Sequence, residues 1–147
     1  MFLFRPEDLA GCADAVRRGV GSGHAIGLWV TAEDAAGAEE QLAAGNRLLE
    51  EIARTRTRIV YTESGALADA LSAEDWVCWE GNVDGLPGEN SSGYGLYLDV
   101  MRAADRQRSL VRLTMDDSGT AASALSRILR DLRSDGYDLR RPLETEL

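Results

Sequence analysis

The chain has 147 residues, of which 44% are hydrophobic and 28% are charged, and its formal net charge is −9 at pH 7. This length favours one domain, which can bury a sizeable core without a metal or a disulfide. The composition excludes a low-complexity protein, and no segment approaches the ~20 apolar residues that a membrane-spanning helix needs. The first apolar run ends at Arg5 and Pro6, which is too short for a signal peptide, so the sequence predicts a cytoplasmic protein.

Two further features of the composition fit this location. Cys12 and Cys78 each lie in an apolar pattern, as expected of small buried side chains in a reducing compartment. Every positive charge is an arginine, and alanine and glycine are abundant. We interpret this bias as the mark of a GC-rich coding sequence, which indicates a bacterial source.

Strand and helix patterns alternate through the first half of the chain. The predicted elements, in chain order, are a strand at 2–4, a helix from Pro6 to the glycines near 21, a strand at 25–31, a helix at 34–54, a strand at 58–62 and a short helix at 65–72. The strand at 25–31 is apolar on both faces, which is typical of a central strand. Gly45 lies inside the long helix, where it predicts the close approach of another element.

The second half begins with the sequence WVCWE, residues 76–80, which we interpret as another central strand. A loop rich in glycine and polar residues follows at 81–93. The alternation of apolar residues in 94–101 and in 109–115 predicts a β-hairpin. A final helix begins near Asp117 and ends at Gly136.

These elements predict an α+β or α/β-like fold. We expect a single globular domain over residues 1–136, with an irregular tail at 137–147. Its core is expected to be one mixed sheet of five to six strands with three to four helices, ending in the C-terminal β-hairpin and then a helix.

The negative charge is concentrated in the middle of the chain. Residues 59–101 contain no arginine or lysine, and their acids are Glu63, Asp69, Glu74, Asp75, Glu80, Asp84, Glu89 and Asp99. Direct nucleic-acid binding requires a basic surface to replace phosphate counterions, so we expect neither nucleic acid nor an anionic membrane as a partner. A localised acidic surface favours a basic protein partner instead.

Recognisable catalytic motifs are missing from the sequence. The glycine-rich run at 19–27 ends a helix and precedes a strand, which is the wrong order for a phosphate-binding loop. His24 is the single histidine, and neither cysteine has a second ligand at close spacing, so we predict no metal and no cofactor. Glu80, Asp84 and Asp99 are carboxylates that could share acid–base chemistry, but nothing in the sequence brings them together.

The segment around Trp79 is the predicted binding site. A tryptophan bordered by polar residues is typical of an interface hot spot. The predicted partner-binding residues are Trp79, Glu80, Asp84, Glu89 and Asp75. The sequence therefore predicts a binding module of the inhibitor or immunity-protein type, engaging a basic protein such as a toxin or a nuclease, and it favours binding over catalysis.

Two alternatives stay open at this point. The first is a small enzyme or ligand-binding domain, with a pocket under the loop 81–93 and with Glu80, Asp99 or His24 as polar groups. The second is a structural or assembly subunit, in which the apolar positions of the hairpin pair with another copy in a homodimer.

Overall fold

The computed structural model describes residues 1–88, 92–107 and 110–141. Within those ranges the helices are α1 (Ala13–Gly21), α2 (Ala35–Ala53), α3 (Gly65–Ala73), α4 (Gly93–Asp105) and α5 (Gly119–Ser134). The strands are β1 (Phe2–Phe4), β2 (Ile26–Trp29), β3 (Ile59–Tyr61), β4 (Val77–Cys78), β5 (Val83–Asp84) and β6 (Leu113–Thr114). A 3-10 turn, Pro6–Asp8, follows β1. None of the described helices has both the length and the apolar character needed to cross a bilayer.

The strands form two parallel sheets. One has four strands in the order β1-β2-β3-β4, and the other pairs β5 with β6. The fold is therefore α/β, and the strand–helix alternation predicted for the first half is confirmed. The predictions of one mixed sheet and of three to four helices are wrong, because the described residues contain two parallel sheets and five α-helices.

The chain divides into two compact units. The N-terminal unit comprises Met1–Trp79 together with Arg141, and the C-terminal unit comprises Glu80–Arg140. Residues 137–141 form neither helix nor strand, and the remainder of the expected tail lies outside the described residues. The boundary of a single domain at 136 stays a prediction.

The core of the N-terminal unit lies between the four-stranded sheet and α2. Leu28 and Val60 are fully buried on one face of the sheet. Gly45 of α2 lies so close to Leu28 that an added Cβ would meet its methyl groups at 2.9 Å, which confirms the predicted close approach. The buried Asn46 side chain accepts from the Thr57 backbone N–H and donates to the Thr57 carbonyl, at 2.8 and 3.0 Å. These bonds join α2 to the segment before β3 without leaving a buried amide unpaired.

In the C-terminal unit the predicted hairpin is wrong, because residues 93–105 form α4 and, within the described part of the second segment, 110–115, only Leu113 and Thr114 are in a strand. Leu96 and Val100 alternate with polar residues, but they also lie four residues apart, and with Ala104 they form the buried stripe of a helix. Ser92 begins this helix, since its side chain accepts from the Gly95 N–H at 3.0 Å. Helix packing against α5 decided between two patterns that a short window cannot separate.

Candidate functional site

The carboxyl ends of the four parallel strands bring one arginine and three aromatic residues into a row. The strand pairing aligns Phe4 with Leu28, Leu28 with Val60, and Val60 with Cys78. The next residue of each strand is Arg5, Trp29, Tyr61 and Trp79, and Trp29 is itself paired with Tyr61. Because side chains alternate between the two faces of a sheet, these four lie on the face opposite to Leu28. We call them the edge row.

Ring contacts hold part of the edge row in place. The Arg5 guanidinium carbon lies 4.2 Å from the centroid of the Trp29 ring. The Trp29 ring in turn makes an edge contact with Tyr61, with centroids 5.9 Å apart and an interplanar angle of 63°. A cation over an aromatic face is attracted by the ring quadrupole, so Arg5 and Trp29 fix each other's orientation. Arg5 is exposed, whereas Trp29 and Tyr61 are half-buried.

The sheet beneath the edge row is tightly packed. Gly27 lies one row below, and an added Cβ there would meet the Leu3 side chain at 2.7 Å and the Ile59 side chain at 3.0 Å. These neighbours lie on the strands to either side, and they occupy the space that a side chain at position 27 would need. The sheet next to Trp29 therefore has no room for a side chain at position 27.

Hydrogen bonds continue past the strand ends and order the chain there. The Val30 N–H donates to the Tyr61 carbonyl at 2.8 Å, and the Trp79 N–H donates to the Val60 carbonyl at 2.7 Å. The Thr31 N–H donates to Oε1 of Gln41 in α2 at 3.0 Å. The backbone that carries Trp29 and Trp79 is thus fixed, as a preformed site requires.

The edge row has the composition of a binding surface. Aromatic faces attract the C–H groups of a ligand, and a guanidinium donates hydrogen bonds to oxygen atoms. In open sheets of parallel strands, ligands bind outside the carboxyl ends of the strands, which is where this row lies. The row contains no carboxylate, imidazole or thiol, so it brings no general base or nucleophile of its own.

A metal centre does not fit the described residues. Within residues 1–88, 92–107 and 110–141, no group of three His, Cys, Asp or Glu side chains is placed to hold a metal ion. His24 is exposed, and its ring makes an edge contact with Phe2 at 5.2 Å. We therefore derive no catalytic step through a metal.

The structure divides the predicted partner-binding residues between the two units. Trp79 and Asp75 belong to the N-terminal unit, and Glu80 and Asp84 to the C-terminal unit. Asp75 is exposed with a φ of 67°, and its carbonyl accepts from Arg58 Nε at 3.0 Å. The Asp84 carboxylate accepts from the Leu86 N–H at 2.8 Å. Glu89 lies outside the described residues, and the role of this set in binding a partner stays a prediction.

The structure also shows where two polar residues of the enzyme alternative, Asp99 and His24, lie. Asp99 lies in α4, where it forms an exposed ion pair with Arg102 at 3.2 Å. The loop predicted for 81–93 contains β5, which pairs with β6. The structure places His24 in the N-terminal unit and Asp99 in the C-terminal unit, and neither belongs to the edge row.

A second aromatic cluster lies on α4 and α5 of the C-terminal unit. Tyr94 and Tyr97 stack at 5.9 Å, and the Arg127 guanidinium lies 5.3 Å from both rings. The Tyr97 hydroxyl donates to Asp131 at 2.8 Å, and Arg130 Nε donates to the same carboxylate at 2.6 Å.

The hydrogen bond from Arg130, followed by that from Tyr97, lowers the pKa of Asp131. The bond to Asp131 is likewise the main reason that the pKa of Tyr97 is raised. We call Tyr94, Tyr97, Arg127 and Asp131 the helix cluster.

Sequence reasoning missed three members of the edge row. The apolar strand around Trp29 favours a core position for this residue, and Arg5 and Tyr61 carry no local signal of a site. The available signal was positional, since each of the three is the last residue of a strand or the residue after it. The ends of parallel strands meet at one edge, which makes such residues candidates for a shared site. Of the other tryptophans, Trp76 packs against the core and Trp79 lies in the edge row.

No protein-family model matches the sequence, and no curated protein matches it either. Solved structures do match. One is the catalytic domain of a peptidoglycan N-acetylglucosamine deacetylase from Eubacterium rectale, with a TM-score of 0.79 and 12% identity over 97% of this chain and 74% of that one. A polysaccharide deacetylase from Bacillus cereus matches with a TM-score of 0.76 and 13% identity, over 99% of this chain and 80% of that one.

A third match is a CE4 family pseudoenzyme from Bacillus anthracis, with a TM-score of 0.75 and 14% identity. It covers 93% of this chain, which spans about half of that protein, 52%. At these identities the similarity shows the fold alone, and that fold is the one of CE4 deacetylases.

The comparison corrects the predicted function. The interpretation as an inhibitor-like or immunity-protein-like binding module is wrong, because the chain has the fold of carbohydrate deacetylases. The preference for binding over catalysis is contradicted by the same finding. The sequence predicts that the acidic residues of the middle segment form one surface, whereas the fold distributes them over two units. The alternative of a small enzyme or ligand-binding domain agrees better with the fold.

Proposed function

We propose that this chain is a deacetylase-like domain whose edge row binds an N-acetylated carbohydrate. The observation that carries the proposal is the row of Arg5, Trp29, Tyr61 and Trp79 at the carboxyl ends of the parallel strands. Two of the matched proteins are a peptidoglycan N-acetylglucosamine deacetylase and a polysaccharide deacetylase, which supports the choice of ligand class.

The chemistry of the row suits a sugar ring. A pyranose ring presents C–H groups on its faces and hydroxyl groups around its rim. The negative face of a tryptophan ring attracts the C–H groups, and since Arg5 lies over one face of the half-buried Trp29, the sugar would use the other. The acetyl methyl group offers further apolar area that the same rings can cover.

Hydrolysis of the acetamide is a separate question from binding. It requires an activated water molecule, and the usual means are a metal ion or a positioned general base. The edge row contributes neither, although residues beyond the strand ends, such as Glu63, carry carboxylates. Both deacetylases and a pseudoenzyme share this fold, so release of acetate decides which of them this domain resembles in activity.

Calorimetric titration with the trimer of N-acetylglucosamine tests the binding proposal. Cellotriose, which has the same β-1,4-linked glucose backbone but no acetamido groups, is the matched control ligand. We expect the acetylated trimer to bind and cellotriose to bind at least about fivefold more weakly, since contacts with the acetyl groups are lost. No detectable binding of the acetylated trimer at millimolar concentration would overturn the proposal.

A second assay measures acetate released from the same trimer over hours, with heat-denatured protein as the blank. Acetate above the blank would assign deacetylase activity to the domain, and its absence beside measurable binding would assign a binding role. A Glu63→Gln variant that loses any activity while keeping its affinity would identify Glu63 as the general base.

A further inference from the structure

Arg5 is the one charged member of the edge row, and its surroundings leave its hydrogen-bonding side available. The guanidinium lies over the Trp29 ring at 4.2 Å, and the residue is exposed. A guanidinium stacked on a ring uses its face for that contact and keeps its N–H groups pointing outward in the plane. The contact with Trp29 therefore restrains the guanidinium, and its N–H groups form no ion pair among the described residues.

No carboxylate among the described residues pairs with Arg5. The ion pairs in the described ranges join Arg17 to Asp14, Arg102 to Asp99, Arg130 to Asp131 and Arg140 to Asp138. Glu7 and Asp8 are close to Arg5 in sequence, but they lie in the 3-10 turn that follows it, and neither forms an ion pair with Arg5. Other described arginines also lack an ion pair, and what distinguishes Arg5 is its place over Trp29 at the carboxyl end of a strand.

We propose that Arg5 recognises a carboxylate on the sugar, so that the edge row prefers an acidic N-acetylated sugar to its neutral counterpart. The inference rests on the proposed function and adds the chemical class of the ligand. The planar guanidinium donates two parallel N–H bonds to the two oxygens of a carboxylate, which a neutral amide cannot accept in the same way. In this arrangement Trp29 contacts the sugar ring and Arg5 binds the carboxylate of the sugar.

Two kinds of acidic sugar carry this chemistry. In N-acetylmuramic acid the carboxylate belongs to an ether substituent, whereas in 2-acetamido-2-deoxyglucuronic acid it is C6, which is attached directly to ring carbon C5. Both are titrated by NMR beside their own primary carboxamides, which keep the size and shape of the ligand and remove the charge. The acid that shows the preference identifies where the carboxylate must lie.

For at least one of the two pairs, the wild-type protein should bind the acid about fivefold more tightly than the amide, because an exposed ion pair contributes modestly. Arg5→Gln should bring this ratio to about one, because it removes the paired N–H donors that only the carboxylate can accept, whatever the variant does to the affinity for both ligands alike. Arg56→Gln removes an exposed arginine elsewhere in the same unit and should leave the ratio unchanged.

The results separate this inference from the proposed function. If acid and amide bind equally well to the wild type, or if Arg5→Gln weakens both by the same factor, Arg5 is only a support for Trp29 and the inference is overturned. If no acetylated sugar binds at all, both the inference and the proposed function are overturned. If the amides bind but the acids bind no more tightly, the proposed function is supported and the inference about Arg5 is overturned.

Discussion

The edge row and the helix cluster are both built from arginine and aromatic side chains, but they differ in how their polar groups are used. In the helix cluster, the Tyr97 hydroxyl and Arg130 share the Asp131 carboxylate, and Arg127 lies against two rings. In the edge row, Arg5 lies against one ring and has no carboxylate partner among the described residues. The hydrogen bonds to Asp131 join α4 to α5, whereas the edge row contains no carboxylate, so that a ligand could supply the acceptor for Arg5.

The two groups have similar residue types but lie at different places in the fold. Arginine stacked on tyrosine is an ordinary feature of exposed helix faces, and such contacts each contribute about 0.5–1 kcal/mol. The helix cluster lies along α4 and α5, while the edge row lies at the carboxyl ends of parallel strands, where ligands bind in α/β folds.

Gly27→Ala should cause the largest change, a loss of about 1–3 kcal/mol in the free energy of unfolding. The added methyl group would meet the side chains of Leu3 and Ile59 beside Gly27. Gly21→Ala is the control, because nothing lies within 4 Å of an added Cβ there. Urea denaturation measures the free energy of unfolding of both variants. If Gly27→Ala were as stable as Gly21→Ala, the side chains around Gly27 would be loosely packed.

Trp29→Ala should weaken binding of the acetylated trimer by about tenfold, because it removes the ring on which the sugar stacks. Tyr94→Ala removes an exposed ring from the helix cluster and should leave the affinity unchanged. Calorimetric titration of both variants, each first shown to be folded by circular dichroism, makes the measurement. A larger loss of affinity for Tyr94→Ala than for Trp29→Ala would assign the sugar to the helix cluster instead of the edge row.

Asp131→Ala should lower the melting temperature by a few degrees, since it leaves both the Tyr97 hydroxyl and Arg130 without their acceptor. Arg5→Ala should lower it less, because Arg5 contacts a single ring. Differential scanning fluorimetry compares the two variants. The reverse order would mean that Arg5 has a structural role like that of the helix cluster.

The smallest effect is a dependence of stability on pH. Because hydrogen bonds lower the pKa of Asp131 in the folded state, its contribution is present above the unfolded value, near 4, and is lost as pH falls through the folded value. The pKa of Tyr97 is raised, so its contribution is present below about 10 and is lost as pH rises through the folded value.

Tyr97→Phe tests the origin of this dependence. The variant should lose less stability than the wild type between about pH 5 and pH 2, and again above about pH 10. Arg5→Ala should follow the wild-type curve in both windows. Parallel curves for Tyr97→Phe and the wild type would show that the hydroxyl bond to Asp131 does not contribute.

The sequence alone predicted the elements of the N-terminal unit well, for physical reasons. The strand at Ile26–Trp29 and the helix at Ala35–Ala53 have strong periodic patterns and clear ends, such as Asp34, whose side chain accepts from the Gly37 N–H. The segment now seen as α4 was misread because eight residues fit both a strand period and one helical stripe. Packing on α5, which is distant in sequence, decides between them.

The candidate site could not be predicted in the same way. Arg5, Trp29, Tyr61 and Trp79 are separated by up to 74 positions in the numbering, and each looks ordinary in its own segment. Their proximity depends on the register of the parallel strands, which follows from tertiary packing rather than from local pattern. The acidic residues around Trp79 were conspicuous in sequence, but the fold places them in two units.

The most direct test of whether the edge row binds carbohydrate is an NMR titration with the trimer of N-acetylglucosamine that follows the three indole N–H signals and the backbone amide signals of Tyr94 and Tyr97. We predict that the signals of Trp29 and Trp79 shift as the sugar is added, while those of Trp76 and of the helix cluster stay in place. Shifts confined to the helix cluster, or no shift at millimolar sugar, would contradict the claim that the edge row is the carbohydrate site.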